Sequence, residues 1–424
     1  MENINSILKK VLKNIEPPSD DLKKINNSLE SFLKKINKKI KEMKIFTEVF
    51  IGGSFTKGTI IKKDHYDIDI FLRFDKRYKN EELSKLTEKI LKSMNFTKIH
   101  GSRDYFKTEV LKDIFFEIIP VKKVRNPKEA ENITDLSYYH VNYIKKKIKN
   151  KRILDEIRLA KAFCYANNCY GAESYIGGFS GYGLELLIYH YKTFINFIKN
   201  IAKSTDSKII IDIEKFYKNK NSILMDLNAA KLHSPIILID PTYKQRNVLA
   251  ALSEETFKIF QKSCKDFLKN PSIKSFEIKK IDFEAVRKNA ESKKYEFIML
   301  EAKTDRQEGN IAGSKLLKFY NHITEEIKKY FEIKGRGFEY VKGKSARFFF
   351  VSGKNKEILV AGPFLKQERH VKEFRSKYSK IFIKNDRLYT KYKINLTSKQ
   401  FIEDWKQKNK KIIADMAIIE LRVS

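Results

Sequence analysis

Asp67 and Asp69 stand two residues apart in H-Y-D-I-D-I-F-L-R-F, within an otherwise apolar, β-branched run. Residues two apart in a strand point to the same face, so both carboxylates project together while Ile68 and Ile70 turn toward a core. Carboxylates in such a strand are costly unless a cation or a hydrogen-bond network meets them. Held at this spacing they suit a hard, oxygen-seeking cation such as Mg2+. Glu117, in F-F-E-I-I-P, is a third acid between large apolar residues; on a strand beside Asp67 and Asp69 it completes a metal-binding triad. Paired metals stabilise both the attacking and the leaving oxygen of an in-line displacement at phosphorus. Upstream, Ser54 follows Gly52 and Gly53, where backbone N–H groups and the hydroxyl suit phosphate oxygens, and Lys57 adds a positive charge. The chemistry this implies is metal-assisted displacement at a phosphate.

Farther along, Lys161 sits on an apolar helix face, and a buried lysine needs an anionic partner. The planar fork of Arg246 suits a base edge or a phosphate better than lysine would. His140 and Tyr170 are less distinctive from residue type: the first reads as an ordinary helix-start histidine, the second as core packing.

These residues need elements to place them. Leu22, Ile25, Leu29, Phe32, Ile36, Ile40 and Met43 recur at three- and four-residue spacing, after P-P-S-D-D, and predict an amphipathic helix. Ile45–Ile51, Tyr66–Phe74 and Asp113–Val124 read as strands, and Glu81–Asn95 as a helix, so the first 150 residues form an α/β or α+β domain. Residues from about 155 to 198 read as mainly helical, with Lys215–Ser222 a basic, Asn-rich loop. Beyond about Phe257 strands return at Tyr295–Leu300 and Arg347–Val351, with a helix over Lys315–Phe331. Gly335-Arg336-Gly337, Lys342-Gly343-Lys344 and Ser352-Gly353-Lys354 read as basic turns between them.

Composition agrees with a globular chain. Of 424 residues 42% are hydrophobic and 33% charged, enough apolar material for real cores. The 87 basic against 53 acidic residues give a net charge of +34, which draws in polyanions. Cys164, Cys169 and Cys264 are odd in number and form no C-x-x-C, arguing against a disulfide framework or a zinc site. The N-terminal segment lacks a signal-peptide core and no apolar run approaches a membrane span, so a cytoplasmic protein without membrane contact is expected.

Gly-Ser, D-x-D and a later strand carboxylate together resemble the nucleotidyltransferase superfamily typified by DNA polymerase β. Four further stretches narrow the likeness: R-L-A-K-A-F-C-Y-A-N-N-C-Y-G-A-E-S-Y (158–175), G-G-F-S-G-Y-G-L-E-L-L-I (177–188), D-P-T-Y-K-Q-R-N-V (240–248) and A-G-P-F-L-K-Q-E-R-H-V-K-E-F (361–374). In order along the chain, they resemble the class I, archaeal-type CCA-adding enzymes, which are tRNA nucleotidyltransferases.

The resemblance implies an α+β multidomain fold. A polymerase β-like head (1–150, a mixed sheet with helices) precedes a helical neck (151–256). An α+β body (257–290 and 372–424) and an α+β tail (291–371) complete it. It implies addition of C, C and A to the tRNA 3′ end from CTP and ATP, with Mg2+ held by Asp67, Asp69 and Glu117. Ser54, Lys57, Ser137, His140, Lys161, Tyr170 and Arg246 would contact the nucleotide, Arg246 reading the base. The body and tail would hold the acceptor stem and elbow of tRNA, with Arg336, Lys342, Lys344, Arg369, His370 and Arg375 as backbone contacts. Two departures stand out. The family usually has Asp where this chain has Glu117, and Leu136 and Tyr138 replace the family's arginine and proline. The alternatives are a poly(A) polymerase-like or other RNA terminal nucleotidyltransferase, and a catalytically silent RNA-binding relative. The oligomeric state stays open, a homodimer included.

Overall fold

A computed structural model describes residues 3–101, 103–205, 208–278, 281–341, 343–355, 357–392 and 395–424. The chain divides into two compact units, 1–279 and 280–424.

The first unit opens with helices α1 (Ile4–Ile15) and α2 (Ser19–Glu42), the latter with Asp20 and Asp21 in its first turn, where acids favour the helix dipole. There follow β1 (Thr47–Ile51), a one-turn helix α3 (Gly53–Thr56), β2 (Tyr66–Phe74), α4 (Asn80–Leu91), β3 (Thr97–Ile99), β4 (Tyr105–Leu111) and β5 (Ile114–Lys122). The sheet order is β1-β2-β5-β4-β3. Only the β2–β5 pair is parallel, so the sheet is mixed, as expected. The hairpin of β3 and β4 was not legible in the sequence: β3 is three residues long, and β4 carries charges at Lys107 and Glu109.

Along β2 burial alternates at the site, with Tyr66, Ile68 and Ile70 buried and Asp67 and Asp69 half-exposed. The buried face packs on Ile25, Leu29, Phe32 and Ile36 of α2 and on Phe116 and Ile118 of β5. Each such large apolar side chain contributes about 1.5–3 kcal/mol by leaving water. This holds the strands that present the acids on their opposite face.

A second core is helical. It is built by α5 (Ser137–Lys147), α6 (Lys151–Ala166), α7 (Gly181–Tyr191), α8 (Phe194–Lys203) and α10 (Glu254–Lys269), with Ile7, Leu8 and Val11 of α1 packed in. The apolar stretch after Ala172 is thus two helices, α7 and α8, and the turn between them places Lys192 at φ 71°. Between α8 and α10 lie β6 (Ile209–Ile211), α9 (Lys220–Asp226), β7 (Ile236–Asp240) and β8 (Tyr243–Asn247), in a three-stranded sheet. The start of α9 takes over the end of the loop expected at Lys215–Ser222. Phe257, Phe260 and Phe267 of α10, which begins the segment expected to be body, pack in this helical core.

The second unit contains α11 (Phe283–Ser292), β9 (Glu296–Thr304), α12 (Asn310–Tyr330), β10 (Phe331–Val341), β11 (Ser345–Asn355), β12 (Ile358–Phe364), α13 (Glu368–Lys377), β13 (Ile381–Lys384), β14 (Arg387–Tyr392), α14 (Ser398–Lys408), α15 (Lys410–Asp415) and β15 (Ile418–Val423). Its sheets run β10-β11-β9-β15 and β12-β14-β13. Strand pairing therefore joins segments on either side of the expected 371/372 boundary. Two expected turns are corrected. Gly335-Arg336-Gly337 lies inside β10, paired with Val351, Phe350 and Phe349, and Ser352-Gly353-Lys354 lies within β11. Glycine and lysine signal a turn only when neighbours leave the backbone unpaired; here a long antiparallel ladder claims it. Gly343 and Lys344 do form a turn, and Lys342 lies outside the described residues.

Candidate active site

Parallel pairing of β2 and β5 sets Asp69 directly beside Glu117. Antiparallel pairing of β4 and β5 sets Lys107 on the other side of Glu117. The Lys107 ammonium donates to Asp67 Oδ1 at 2.6 Å and to Glu117 Oε1 at 3.1 Å. Asp69 stands against Gly53, where an added Cβ would lie 1.9 Å from Asp69 Oδ2 and φ is +68°. Both the close approach and the backbone conformation therefore call for glycine.

The three acids repel one another. Burial, then Glu117 and Asp67, push Asp69 up to about 7. Burial, and Asp67 among its neighbours, raise Glu117, with Lys107 opposing. Among the described residues no three His, Cys, Asp or Glu side chains are gathered into a ready-made metal cage. The fit to a divalent cation is one of chemistry: hard oxygen donors, clustered and mutually destabilised, in a partly desolvated place. As they stand, Asp67 and Glu117 are turned to Lys107.

A cavity of about 50 Å3 beside Asp67 is lined by Ser54, Thr59, Lys63, Lys161 and Tyr170. Lys161 is buried and donates to Thr59 Oγ1 at 2.7 Å and to Glu185 Oε1 at 3.2 Å. Lys57 donates to Glu185 Oε2 at 2.6 Å, and the Thr59 hydroxyl to Glu185 Oε1 at 2.9 Å. Burial lowers Lys161 to about 8, Glu185 opposing. Burial would raise Glu185, but Lys57 and Lys161 outweigh it and hold the carboxyl below its usual range. Tyr170 stacks on Tyr165 with ring centroids 4.1 Å apart. Lys63 stands over Tyr165, its ammonium 4.4 Å from the ring centre.

A second cluster surrounds the buried Asp240. His140 Nε2 lies 3.0 Å from Asp240 Oδ2, Arg246 donates to the same oxygen at 2.6 Å, and the Tyr182 hydroxyl donates to Oδ1 at 3.2 Å. The His140 and Tyr182 rings stack at 4.1 Å. Burial would raise Asp240, but the His140 hydrogen bond and the Arg246 charge hold it well below the carboxylate range. Burial keeps His140 below its ordinary value.

One helix joins the two clusters. Tyr182 and Glu185 are three residues apart on α7 and share a face. This accounts for the polar and small residues in the middle of G-F-S-G-Y-G-L-E-L-L-I. Ser180 caps the helix by accepting from the Gly183 N–H at 3.1 Å. Gly181 leaves room for Tyr170, whose hydroxyl would lie 2.8 Å from an added Cβ. Tyr182 serves Asp240 and Glu185 serves the lysines.

The structure therefore gathers Asp67, Asp69 and Glu117 on adjacent strands, joins Lys57 to Lys161 through Glu185, places Ser54, Asp67, Lys161 and Tyr170 on one cavity, and unites His140 with Arg246. Ser137 is half-buried at the first residue of α5. Leu136 is buried and Tyr138 stacks on Arg73, whose guanidinium carbon is 3.6 Å from the ring centre. Arg336, Lys344, Arg369, His370 and Arg375 are exposed on the second unit. Lys107, Glu185, Asp240 and Tyr182 escaped the sequence reading as site residues. The one local signal was an acid, Glu185, amid the leucines of α7.

A family profile described as tRNA nucleotidyltransferase, second domain, matches residues 155–277, and one described as second messenger oligonucleotide or dinucleotide synthetase domain matches 1–145. A CCA-adding enzyme of Nanoarchaeum equitans is 36% identical over 81% of this chain and 83% of its own length. One of Methanocaldococcus jannaschii is 31% identical over 91% and 87% respectively. This chain belongs to the CCA-adding enzyme family. Its polymerase-like fold extends beyond CCA-adding enzymes: a poly(U) polymerase solved with magnesium and 3′-dATP superposes at TM-score 0.51 and 13% identity, covering 65% of this chain and 98% of that one. Among the described residues no helix is long and apolar enough to cross a membrane.

Proposed function

We propose that this chain adds C, C and A to the 3′ end of tRNA, drawing on CTP and ATP. The tRNA 3′-hydroxyl oxygen bonds to the nucleotide α-phosphorus and gives up its proton to solvent, the bridge to the β-phosphate breaks, and pyrophosphate leaves with its electrons. Asp67, Asp69 and Glu117 would hold Mg2+. Bound there, the ion supplies charge neutralisation at the triphosphate and lowers the pKa of the attacking hydroxyl.

The chain's own groups do the rest. Ser54, Lys57 and Lys161 would meet the triphosphate, Tyr170 walls the cavity that Ser54 and Lys161 line, and Ser137 and His140 lie toward the triphosphate or the sugar. Arg246, steadied by Asp240, offers its fork to the base. Arg336, Lys344, Arg369, His370 and Arg375 meet the tRNA backbone along the acceptor stem and elbow. Positioning of this kind supplies much of the acceleration in such reactions.

The observation that carries the proposal is the pairing of Asp69 with Glu117 across β2 and β5, beside a cavity that Lys161 enters from α6. The test is incubation of tRNA lacking its terminal CCA with all four nucleoside triphosphates. Growth by three residues that then stops is expected. An open-ended tail would point to a poly(A) polymerase-like activity, and no Mg2+-dependent pyrophosphate release to a silent relative.

A further inference from the structure

Glu185 lies on α7 among Leu184, Leu186, Leu187 and Ile188, all fully buried, and is itself without solvent exposure. A carboxylate in such a place is costly, and a buried ion pair is weak evidence for stability, because apolar replacements often serve as well. Its partners point elsewhere. They come from two separate segments, Lys57 and Thr59 following α3 and Lys161 lying on α6, and Glu185 on α7 joins them. Thr59 has one hydroxyl proton, which goes to Glu185, so its oxygen accepts from Lys161. Each oxygen of Glu185 thus has its own ammonium, and Oε1 a hydroxyl besides. Thr59 and Lys161 also line the cavity that Ser54 and Asp67 share. The network ends at the place where a substrate's phosphates would lie.

We propose that Glu185 is a positioning residue for triphosphate binding: it spaces and orients the ammonium groups of Lys57 and Lys161 for a nucleoside triphosphate. The inference rests on the nucleotidyl-transfer reading above. One carboxylate between two ammoniums leaves a net single positive charge and keeps the pair from repelling in a desolvated setting. Without it the lysines part, and the anion meets two misplaced donors in place of a fork.

The experiment compares wild-type protein with Glu185→Gln and Glu185→Asp. Binding of a CTP analogue with a methylene between the α- and β-phosphorus is measured by calorimetry, beside KM for CTP and for tRNA. Glu185→Gln keeps the shape and loses the charge; Glu185→Asp keeps the charge in a shorter chain. Analogue affinity and KM for CTP should worsen roughly tenfold in Gln, the scale of a lost charge-assisted contact. Asp should recover most of that loss, and KM for tRNA should stay within about twofold in both. A purely structural role would rank the variants the other way, Gln above Asp, and would overturn the inference. So would a Gln variant that binds the analogue as wild type does. If wild-type protein binds no triphosphate, the function reading fails and takes this inference with it. Should Glu185→Gln not fold, Thr59→Val removes the shared hydroxyl: a several-fold rise in KM for CTP is expected, and an unchanged KM overturns the proposal.

Discussion

Arg246 donates one guanidinium nitrogen to the buried Asp240 carboxylate at 2.6 Å, while its Nε, also buried, has no hydrogen-bond partner among the described residues. The side chain is anchored at one end and unsatisfied at the other. A buried donor left without a partner is costly, so the side chain is held through another of its nitrogens.

Arg246→Ala should therefore erode base choice more than tRNA binding. A good bidentate base contact is worth about 1–3 kcal/mol, so misincorporation of U or G should rise roughly ten- to a hundredfold. Asp240→Asn, which releases the anchor and leaves the fork, should shift base choice in the same direction by less. Competition between the four triphosphates at each added position measures both.

Asp67→Ala should abolish CMP and AMP incorporation while tRNA binding by filter retention changes little, since Asp67 faces the cavity and Lys107. Glu117→Asp keeps the carboxylate but shortens the side chain and pulls the carboxyl back from Lys107, now 3.1 Å away. Activity should be kept within about tenfold in that variant and fall by more than a hundredfold in Glu117→Ala. A fully active Glu117→Ala would remove Glu117 from the site.

Lys161 sets the alkaline side of the pH dependence. Burial brings it down to about 8, so its ammonium is present below that pH and is lost as pH rises through it. Triphosphate affinity should weaken as pH rises above 8, read as KM for CTP against pH. Lys161→Arg should flatten that limb, because a guanidinium keeps its proton. For stability the sign is opposite. The unfolded chain holds this proton up to ~10.4, so between the two values unfolding takes up a proton, and stability at this group rises with pH.

Arg369 and Arg375 project from α13, which buries none of its residues. Replacing both with alanine should weaken tRNA binding and reduce the log–log salt slope by about 1–2, one phosphate contact each. KM for CTP should not change. A salt series of tRNA binding for wild type and variant decides.

The period-two pattern of D-I-D-I was enough to read strand β2 and the shared face of its acids, because a half-buried strand writes its environment into alternate residues. The apolar spacing of α2 was equally plain. Gly335-Arg336-Gly337 misled, because local turn chemistry says nothing of a ladder supplied by residues farther along the chain. The short hairpin of β3 and β4 was invisible for a related reason: its residues alternate too weakly to report a face, and with it went Lys107.

By itself, then, the sequence determined the reaction class, the two aspartates and their shared face, and the likeness to the CCA-adding family. Only the tertiary structure decided how those side chains are held. Glu185 meets Thr59 across 126 positions and His140 meets Asp240 across 100. A buried charge is recognised by its partner, and no local periodicity names a partner that folding alone brings near. Asp69 and Glu117 are neighbours because β2 and β5 pair in parallel, a pairing between segments 48 positions apart that no local pattern announces.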